Sequence, residues 1–286
     1  MITISKAQRR CCSVLALCLS ATFLASTPAF AQASSQRSGP GADLVRQGVA
    51  ADLAGNYADA RKAFAQAIDI ASDPQAKAQA LRSMAMSYAF ESNCKEATKY
   101  EEPLYQQYLD VKDFFNAGEI ANELARVCLE SGDLDTAAKW YQNGHDAGVR
   151  EPDIKPDRKD LWEFRQEHAL ARLAARKGDK VAAQKHVDNA KIILDKGTNP
   201  NQAQFFPYLA GYVAYYAGDY KNALVELQKA NQNDPFILLL MAQSYEKIGD
   251  EAQAKTLYEK ILTFNTHNPP NAFARPIAKK KVGKAS

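Results

Sequence analysis

The sequence predicts an all-α solenoid built from about six stacked pairs of antiparallel helices. Three features predict this fold, and each recurs six times along the chain. A two-residue break separates pairs of helix-like runs: Gly55-Asn56, Ser92-Asn93, Gly132-Asp133, Gly178-Asp179, Gly218-Asp219 and Gly249-Asp250. A small residue precedes each break by seven positions: Gly48, Ala85, Ala125, Ala171, Gly211 and Ala242. An alanine follows each Asn or Asp by four positions: Ala60, Ala97, Ala137, Ala183, Ala223 and Ala254. Repetition of one frame along a chain is typical of repeat proteins.

Each break has the chemistry of a junction between two helices. Glycine after a helix readily adopts the left-handed conformation that ends it. The Asn or Asp that follows accepts a hydrogen bond from a free backbone N–H and so starts the next helix. Small residues at the two fixed positions allow the paired helices to approach closely. Because one such pair cannot bury its apolar face alone, stacked pairs are needed to form a continuous core.

The N-terminus has the pattern of an export signal. Basic residues at positions 6–10 precede an apolar run at 11–24, and the small-residue pattern Ala29-Phe30-Ala31 follows. We therefore predict a signal peptide over residues 1–31 with cleavage after Ala31, and a periplasmic protein, with secretion as the alternative. The polar residues at 32–40 predict a disordered lead-in.

Charge is unevenly distributed along the mature chain. Loss of the signal removes three of the 36 basic residues, which leaves 33 to balance the 33 acidic ones. Because the fold carries no clustered basic excess, we expect no nucleic-acid binding. The segment 269–286, by contrast, has five basic residues and no acidic one: Arg275, Lys279, Lys280, Lys281 and Lys284. Two interpretations remain open, a polar cap with a short helix over 276–281, or peripheral docking on an anionic surface.

The frame resembles the tetratricopeptide repeat family. Besides the small residues and the turn, an aromatic residue follows the alanine in several units (Phe64, Tyr141, Tyr258), and prolines close two of them (Pro74, Pro235). The resemblance covers about residues 41–268 and implies a right-handed superhelix that binds other proteins. The turns are spaced 37, 40, 46, 40 and 31 residues apart, whereas the family favours about 34. We expect a long loop over residues 144–160 within the widest step.

No catalytic constellation is present in the sequence. The four histidines form no zinc-type pair with a carboxylate at helical spacing. The chain also lacks a phosphate-binding loop, a Gly-x-Ser-x-Gly elbow and a Cys-x-x-Cys pair. We therefore predict a protein that is not an enzyme and needs no metal or cofactor.

Cys94 and Cys128 are the two cysteines that remain after removal of the signal. Cys94 begins the second helix of unit two, and Cys128 lies near the end of the first helix of unit three. Antiparallel stacking places these two helix ends side by side, so we predict a disulfide in an oxidising compartment. The alternative is two free, buried thiols that pack as small hydrophobic residues.

The resemblance also implies a binding groove lined by the first helix of each unit. Arginine suits carboxylates and phosphates, and tyrosine offers a rigid contact area. The positions that correspond are Arg82, Asn122, Arg126, Arg165, His168, Arg172, Arg176, Tyr208, Tyr212, Tyr215 and Tyr216. They predict a partner protein or peptide with acidic groups. The alternative is that the arginines form a solvated face and the tyrosines pack between repeats.

The leading functional hypothesis is a non-catalytic scaffold of the bacterial cell envelope that captures a protein segment in its concave groove. Two other classes remain open: an envelope assembly factor that uses its convex face, and a binder of an anionic glycan or lipid. Salt dependence distinguishes the two protein-binding classes from the third, because electrostatic binding to an anionic polymer weakens strongly as the salt concentration rises.

Overall fold

A computed structural model describes residues 39–283 of the chain. The predicted signal peptide, its cleavage point after Ala31 and the lead-in up to residue 38 lie outside the described residues. Within the described part, residues 39–283 belong to one compact unit of thirteen α-helices without a β-strand. The prediction of an all-α fold is therefore confirmed.

The first twelve helices form six consecutive antiparallel pairs, and a thirteenth follows them. The first helices of the pairs are α1 (Pro40–Ala54), α3 (Pro74–Phe90), α5 (Phe114–Ser131), α7 (Pro156–Arg176), α9 (Phe206–Tyr216) and α11 (Pro235–Ile248). The second helices are α2 (Tyr57–Asp69), α4 (Cys94–Asp110), α6 (Leu134–Gly148), α8 (Lys180–Asp195), α10 (Tyr220–Leu227) and α12 (Glu251–Ile261). A short 3-10 helix, Pro200–Phe205, precedes α9, and α13 (Pro269–Gly283) ends the described chain. Each helix packs chiefly on its neighbours in sequence, as in a solenoid.

All six predicted breaks are turns between paired helices. Five have a glycine with φ between +79° and +91°. Ser92 takes the same role in the second unit at φ +55°, which is a costly conformation for a residue with a Cβ atom. The following Asn or Asp side chain accepts a hydrogen bond from the backbone N–H three residues later in every unit except the first.

The small residues lie where paired helices meet. The six alanines of the second helices are at most 1% exposed. A methyl group at Gly48 would lie 2.4 Å from the Phe64 ring, and one at Gly211 would lie 2.6 Å from Leu227. These distances are shorter than van der Waals contact, so the close approach of the helices requires glycine at both positions.

The predicted long loop over residues 144–160 is wrong. Helix α6 continues through Gly144 to Gly148, and α7 begins at Pro156, so only residues 149–155 connect them. Both glycines have a packing role: a methyl group at Gly148 would lie 2.1 Å from Trp162, and one at Gly144 would lie 2.8 Å from Asn122. Here glycine permits close packing of α6 against its neighbours and does not break the helix.

The C-terminal segment also differs from the predicted polar cap. Helix α13 is longer than residues 276–281, and it packs against α3, α5 and α11 as well as α12. Since α3, α5 and α11 are first helices of their pairs, α13 lies on the face of the first helices, which the repeat frame predicts to be concave. Its side chains Arg275 and Lys279 donate hydrogen bonds of 2.8 and 2.9 Å to the Leu53 carbonyl oxygen of α1. The helix therefore connects the last units to the first.

Within residues 39–283, no helix combines the length and the apolar character needed to cross a membrane.

Candidate functional site: the concave face

The predicted groove residues lie on α3, α5, α7 and α9, and the structure brings most of them into one cluster. Arg126, Arg172, Arg176, His168, Tyr208, Tyr212 and Tyr216 are joined by ring contacts and hydrogen bonds. Arg82 and Arg165 lie at its sides, each against α5. The cluster is largely buried: Tyr212 is 0% exposed, Arg172 is 7% exposed and Tyr208 is 7% exposed.

Three of the five arginines are paired with carboxylates of α5. Arg82 binds Glu123 through two nitrogens, with Nε 3.3 Å from the carboxylate. Arg165 pairs with Glu119. Arg176 donates to Glu130, with Nη1 3.0 Å from Oε2. Three of the arginines that we predicted to bind an acidic partner are thus neutralised by carboxylates of the protein itself.

Arg126 and Arg172 have no carboxylate partner among the described residues. The Arg126 guanidinium carbon lies 5.9 Å from the centre of the Tyr208 ring and 5.5 Å from that of Phe236. Its Nε and Nη2 are buried without a hydrogen-bond partner. The Arg172 guanidinium lies 5.3 Å from the Tyr141 ring. Stacking on aromatic faces favours a guanidinium but does not satisfy its N–H donors.

Burial sets the ionisation of the other side chains in this cluster. It raises the pKa of Tyr208 to about 12, against the opposing charges of Arg126 and Arg172. Burial lowers the pKa of His168 well below its usual value, and those two arginines lower it further. His168 is therefore neutral near pH 7. Burial also raises the pKa of Glu130, while Arg176 favours its charged form.

Asn122 points away from the cluster, and Tyr215 lies at its edge against Tyr216, although both were predicted in the groove. Asn122 packs against Gly144 of α6, which is the contact between paired helices. Tyr215 donates a 3.0 Å hydrogen bond to Gln243 of α11, and burial raises its pKa to about 12. Both positions lie on first helices, but their side chains fill contacts between helices.

A cavity of about 170 Å³ remains between the cluster and α13. Its groove side includes Glu130, Arg176, Tyr216 and Phe236, and its α13 side is formed by Ala272, Phe273, Pro276 and Ile277. The Tyr212 hydroxyl lies 3.2 Å from Glu130 Oε1, so the Glu130 carboxylate is held from two sides. Helix α13 thus closes one side of a cavity that two of the predicted groove residues, Arg176 and Tyr216, also border.

The acidic residues of α5 were missed in the sequence, although a signal for them exists. Glu119 and Arg165 are 46 residues apart, as are Glu130 and Arg176. The turns after α5 and α7 are also 46 residues apart. Partners at this spacing occupy equivalent positions in successive repeats, and equivalent positions on first helices face each other across the stack.

Cys94 at the start of α4 and Cys128 in α5 are joined by a disulfide in the structure, with a sequence separation of 34 residues. The bond connects unit two to unit three on the side of the turns. In the described part of the chain, no three His, Cys, Asp or Glu side chains gather so that they could hold a metal ion.

Comparison with known proteins gives two matches. Residues 237–263, which cover most of α11 and α12, match the tetratricopeptide repeat. The chain is also 29% identical over 116 residues to the photosystem I assembly protein Ycf3 of Synechococcus sp. (strain CC9902). That match covers 39% of this chain and 65% of the relative, which is less than two thirds of its length. The recurring frame, the six helix pairs and these matches are similar to those of tetratricopeptide-repeat proteins.

Proposed function

We propose that the protein is a non-catalytic interaction scaffold that holds a helical segment of a partner protein in its concave groove. The observation that supports the groove is α13, because a helix already lies there against α3, α5 and α11. Binding of a helix in a groove uses an apolar face with anchors at helical spacing. The repeat is a platform for protein contacts, and one similar protein is named for its assembly role, which favours a scaffold over an enzyme.

The proposed preference for acidic groups in the partner has narrower support. Of the five groove arginines, Arg82, Arg165 and Arg176 are neutralised by α5. Arg126 and Arg172 are left as the two groups that could meet a partner carboxylate. Docking of the basic segment on an anionic surface likewise has fewer free charges, since Arg275, Lys279 and Lys281 bond within the fold.

We propose the bacterial periplasm as the site of action, on the basis of the signal pattern at residues 1–31. N-terminal sequencing of the protein from its native cells is expected to begin at Gln32. A mature chain that begins at Met1 and fractionates with the cytoplasm would contradict export.

Photo-crosslinking in native cells tests the groove. A crosslinking amino acid at Arg165, whose side chain is 31% exposed on the concave side, is compared with one at the exposed Lys185 of α8. Tyr212 is unsuitable because it is fully buried. We expect one discrete protein adduct from position 165 and none from position 185. Adducts from position 185 alone would move the interface to the outer face, and the absence of protein adducts from both would contradict protein capture.

A further inference from the structure

We infer that α13 is an intramolecular ligand of the groove, and that the partner is a basic amphipathic helix of the same kind, which binds in place of α13. This inference rests on the proposed groove function. It replaces the acidic partner considered above with a basic helix, and it adds the way in which binding is controlled.

Helix α13 has the composition of a ligand that is held by its surroundings. Its buried residues beyond the first turn are alanines and one phenylalanine: Ala272, Phe273, Ala274 and Ala278. Pro276 lies inside the helix, where it removes a backbone hydrogen bond and makes an isolated helix unfavourable. Contacts with the groove must therefore supply the stability of this helix, and detachment would unfold it.

The polar contacts of α13 define the charge of a competing partner. Arg275 and Lys279 donate to the Leu53 carbonyl at the C-terminal end of α1, where the helix dipole favours cations. Lys281 pairs with Glu246 of α11. Helix α13 contains no acidic residue. The groove thus accepts a helix with positive charges from its middle to its C-terminal end. The face of that helix that packs on the groove carries alanine and phenylalanine.

Helix α13 already occupies the wall that α3 and α11 form. A cavity of about 170 Å³ remains between α13 and this wall. Phe273 and Ile277 border this space together with Phe90, Leu239 and Leu240 of α3 and α11. A partner helix must displace α13 before it reaches these residues, so capture is controlled by release of α13.

The segment between α12 and α13 also holds the helix in place. His267 lies between the rings of Phe64 and Phe90, each 5.6 Å away, and its Nε2 is 2.8 Å from the buried Asp52 carboxylate. Asn271 donates a 2.7 Å hydrogen bond to the Thr266 carbonyl. A tether of this length gives α13 a high effective concentration at the groove, so a free helix competes poorly with the intact chain.

The test uses a fluorescent peptide of residues 266–283 and measures its anisotropy with three full-length proteins: the native chain, Phe273→Asp and Phe205→Asp. Phe273 is 6% exposed, whereas Phe205 is 44% exposed and ends the 3-10 helix before α9, so the same change there serves as a control for the added charge. We expect the peptide to bind the Phe273→Asp chain at least tenfold more tightly than the other two. Equal binding to all three, with circular dichroism showing a folded Phe273→Asp chain, would overturn the inference.

A second experiment does not depend on that variant. A protease site is inserted after the exposed Asn265, and the folded protein is cut there. We expect the cut α13 to exchange for the labelled peptide and not for a peptide that carries Phe273→Asp. If both peptides bind alike, or if neither enters the cut and folded protein, the inference is wrong. No partner protein takes part in these assays, so their outcome is independent of the crosslinking result.

Discussion

Glu101 of α4 is a carboxylate in an environment that opposes its charge. The residue is 0% exposed, and both of its carboxylate oxygens are buried without a hydrogen-bond partner. Burial raises its pKa well above the usual value, the nearby charge of Glu123 raises it further, and Arg82 acts in the opposite direction. Because the folded protein binds this proton more tightly than the unfolded chain, the free energy of unfolding falls as pH rises above about 4.5.

Glu101→Gln should therefore stabilise the protein at neutral pH. An amide keeps the shape of the side chain and has no charge to bury, so we expect a gain of about 1–2 kcal/mol at pH 7. The gain should shrink towards pH 4, where the native carboxyl is protonated as well. Urea unfolding of both proteins between pH 4 and pH 8 measures the difference. A gain that is the same at every pH would show that the charge of Glu101 is not its cause.

Gly211 tests the close approach of paired helices with one methyl group. In Gly211→Ala the new Cβ would lie 2.6 Å from Leu227 Cγ and 3.2 Å from the Leu227 backbone nitrogen, which has no freedom to move away. We expect a loss of about 1–3 kcal/mol, as in other overpacked sites. Gly41→Ala in α1 is the control, since its nearest neighbour would be Ile70 at 3.9 Å. Thermal unfolding should show a lower midpoint for Gly211→Ala only.

At the scale of elements, the disulfide restrains the contact between α4 and α5. It closes a loop of 34 residues, for which the chain-entropy account gives about 3–4 kcal/mol. We expect Cys94→Ala with Cys128→Ala to lower the free energy of unfolding by that amount under oxidising conditions. In the presence of a reductant, native and variant proteins should unfold at nearly the same denaturant concentration. A difference that persists after reduction would point to packing of the cysteines as the cause.

The sequence was sufficient to predict the helix pairs, but it did not predict where every helix ends. The turns at Gly132 and Gly218 are local features, since a left-handed residue and a capping Asp need no distant contact. Gly144 and Gly148 carry no such local signal, because their role depends on Asn122 and Trp162 of other helices. A glycine that permits packing and a glycine that ends a helix look alike in a sequence.

The sequence predicted where the side chains of the candidate site lie, but it did not predict which groups they pair with. The arginines and tyrosines lie on first helices, as the repeat frame implies. Whether a guanidinium faces a partner or an internal carboxylate depends on the register between α5 and α7, which sets Glu130 3.0 Å from Arg176. The place of α13 was also beyond the sequence, because its few apolar residues and its lysines are equally typical of an exposed cap.

At the scale of the whole described unit, α13 changes the way in which a repeat protein holds together. A simple solenoid is stabilised by contacts between neighbouring repeats, so its ends unfold more easily than its middle. Here α13 packs on α11 and α12 of the last unit and on α3 of the second unit, and its side chains reach α1. Contacts between residues more than 200 positions apart, such as that of His267 with Asp52, couple the first and last units.

This coupling predicts cooperative unfolding that depends on α13. We expect the native protein to unfold in one transition in guanidinium chloride, by both circular dichroism and the fluorescence of Trp140 and Trp162 in the middle units. In Phe273→Asp, a buried ring is replaced by a charge, which should detach α13 and let the terminal units unfold first. The two probes should then give separate midpoints, while Phe205→Asp keeps a single one. Coincident transitions in Phe273→Asp, merely moved to lower denaturant, would mean that neighbour contacts alone carry the cooperativity and that α13 is an appendage of the last unit.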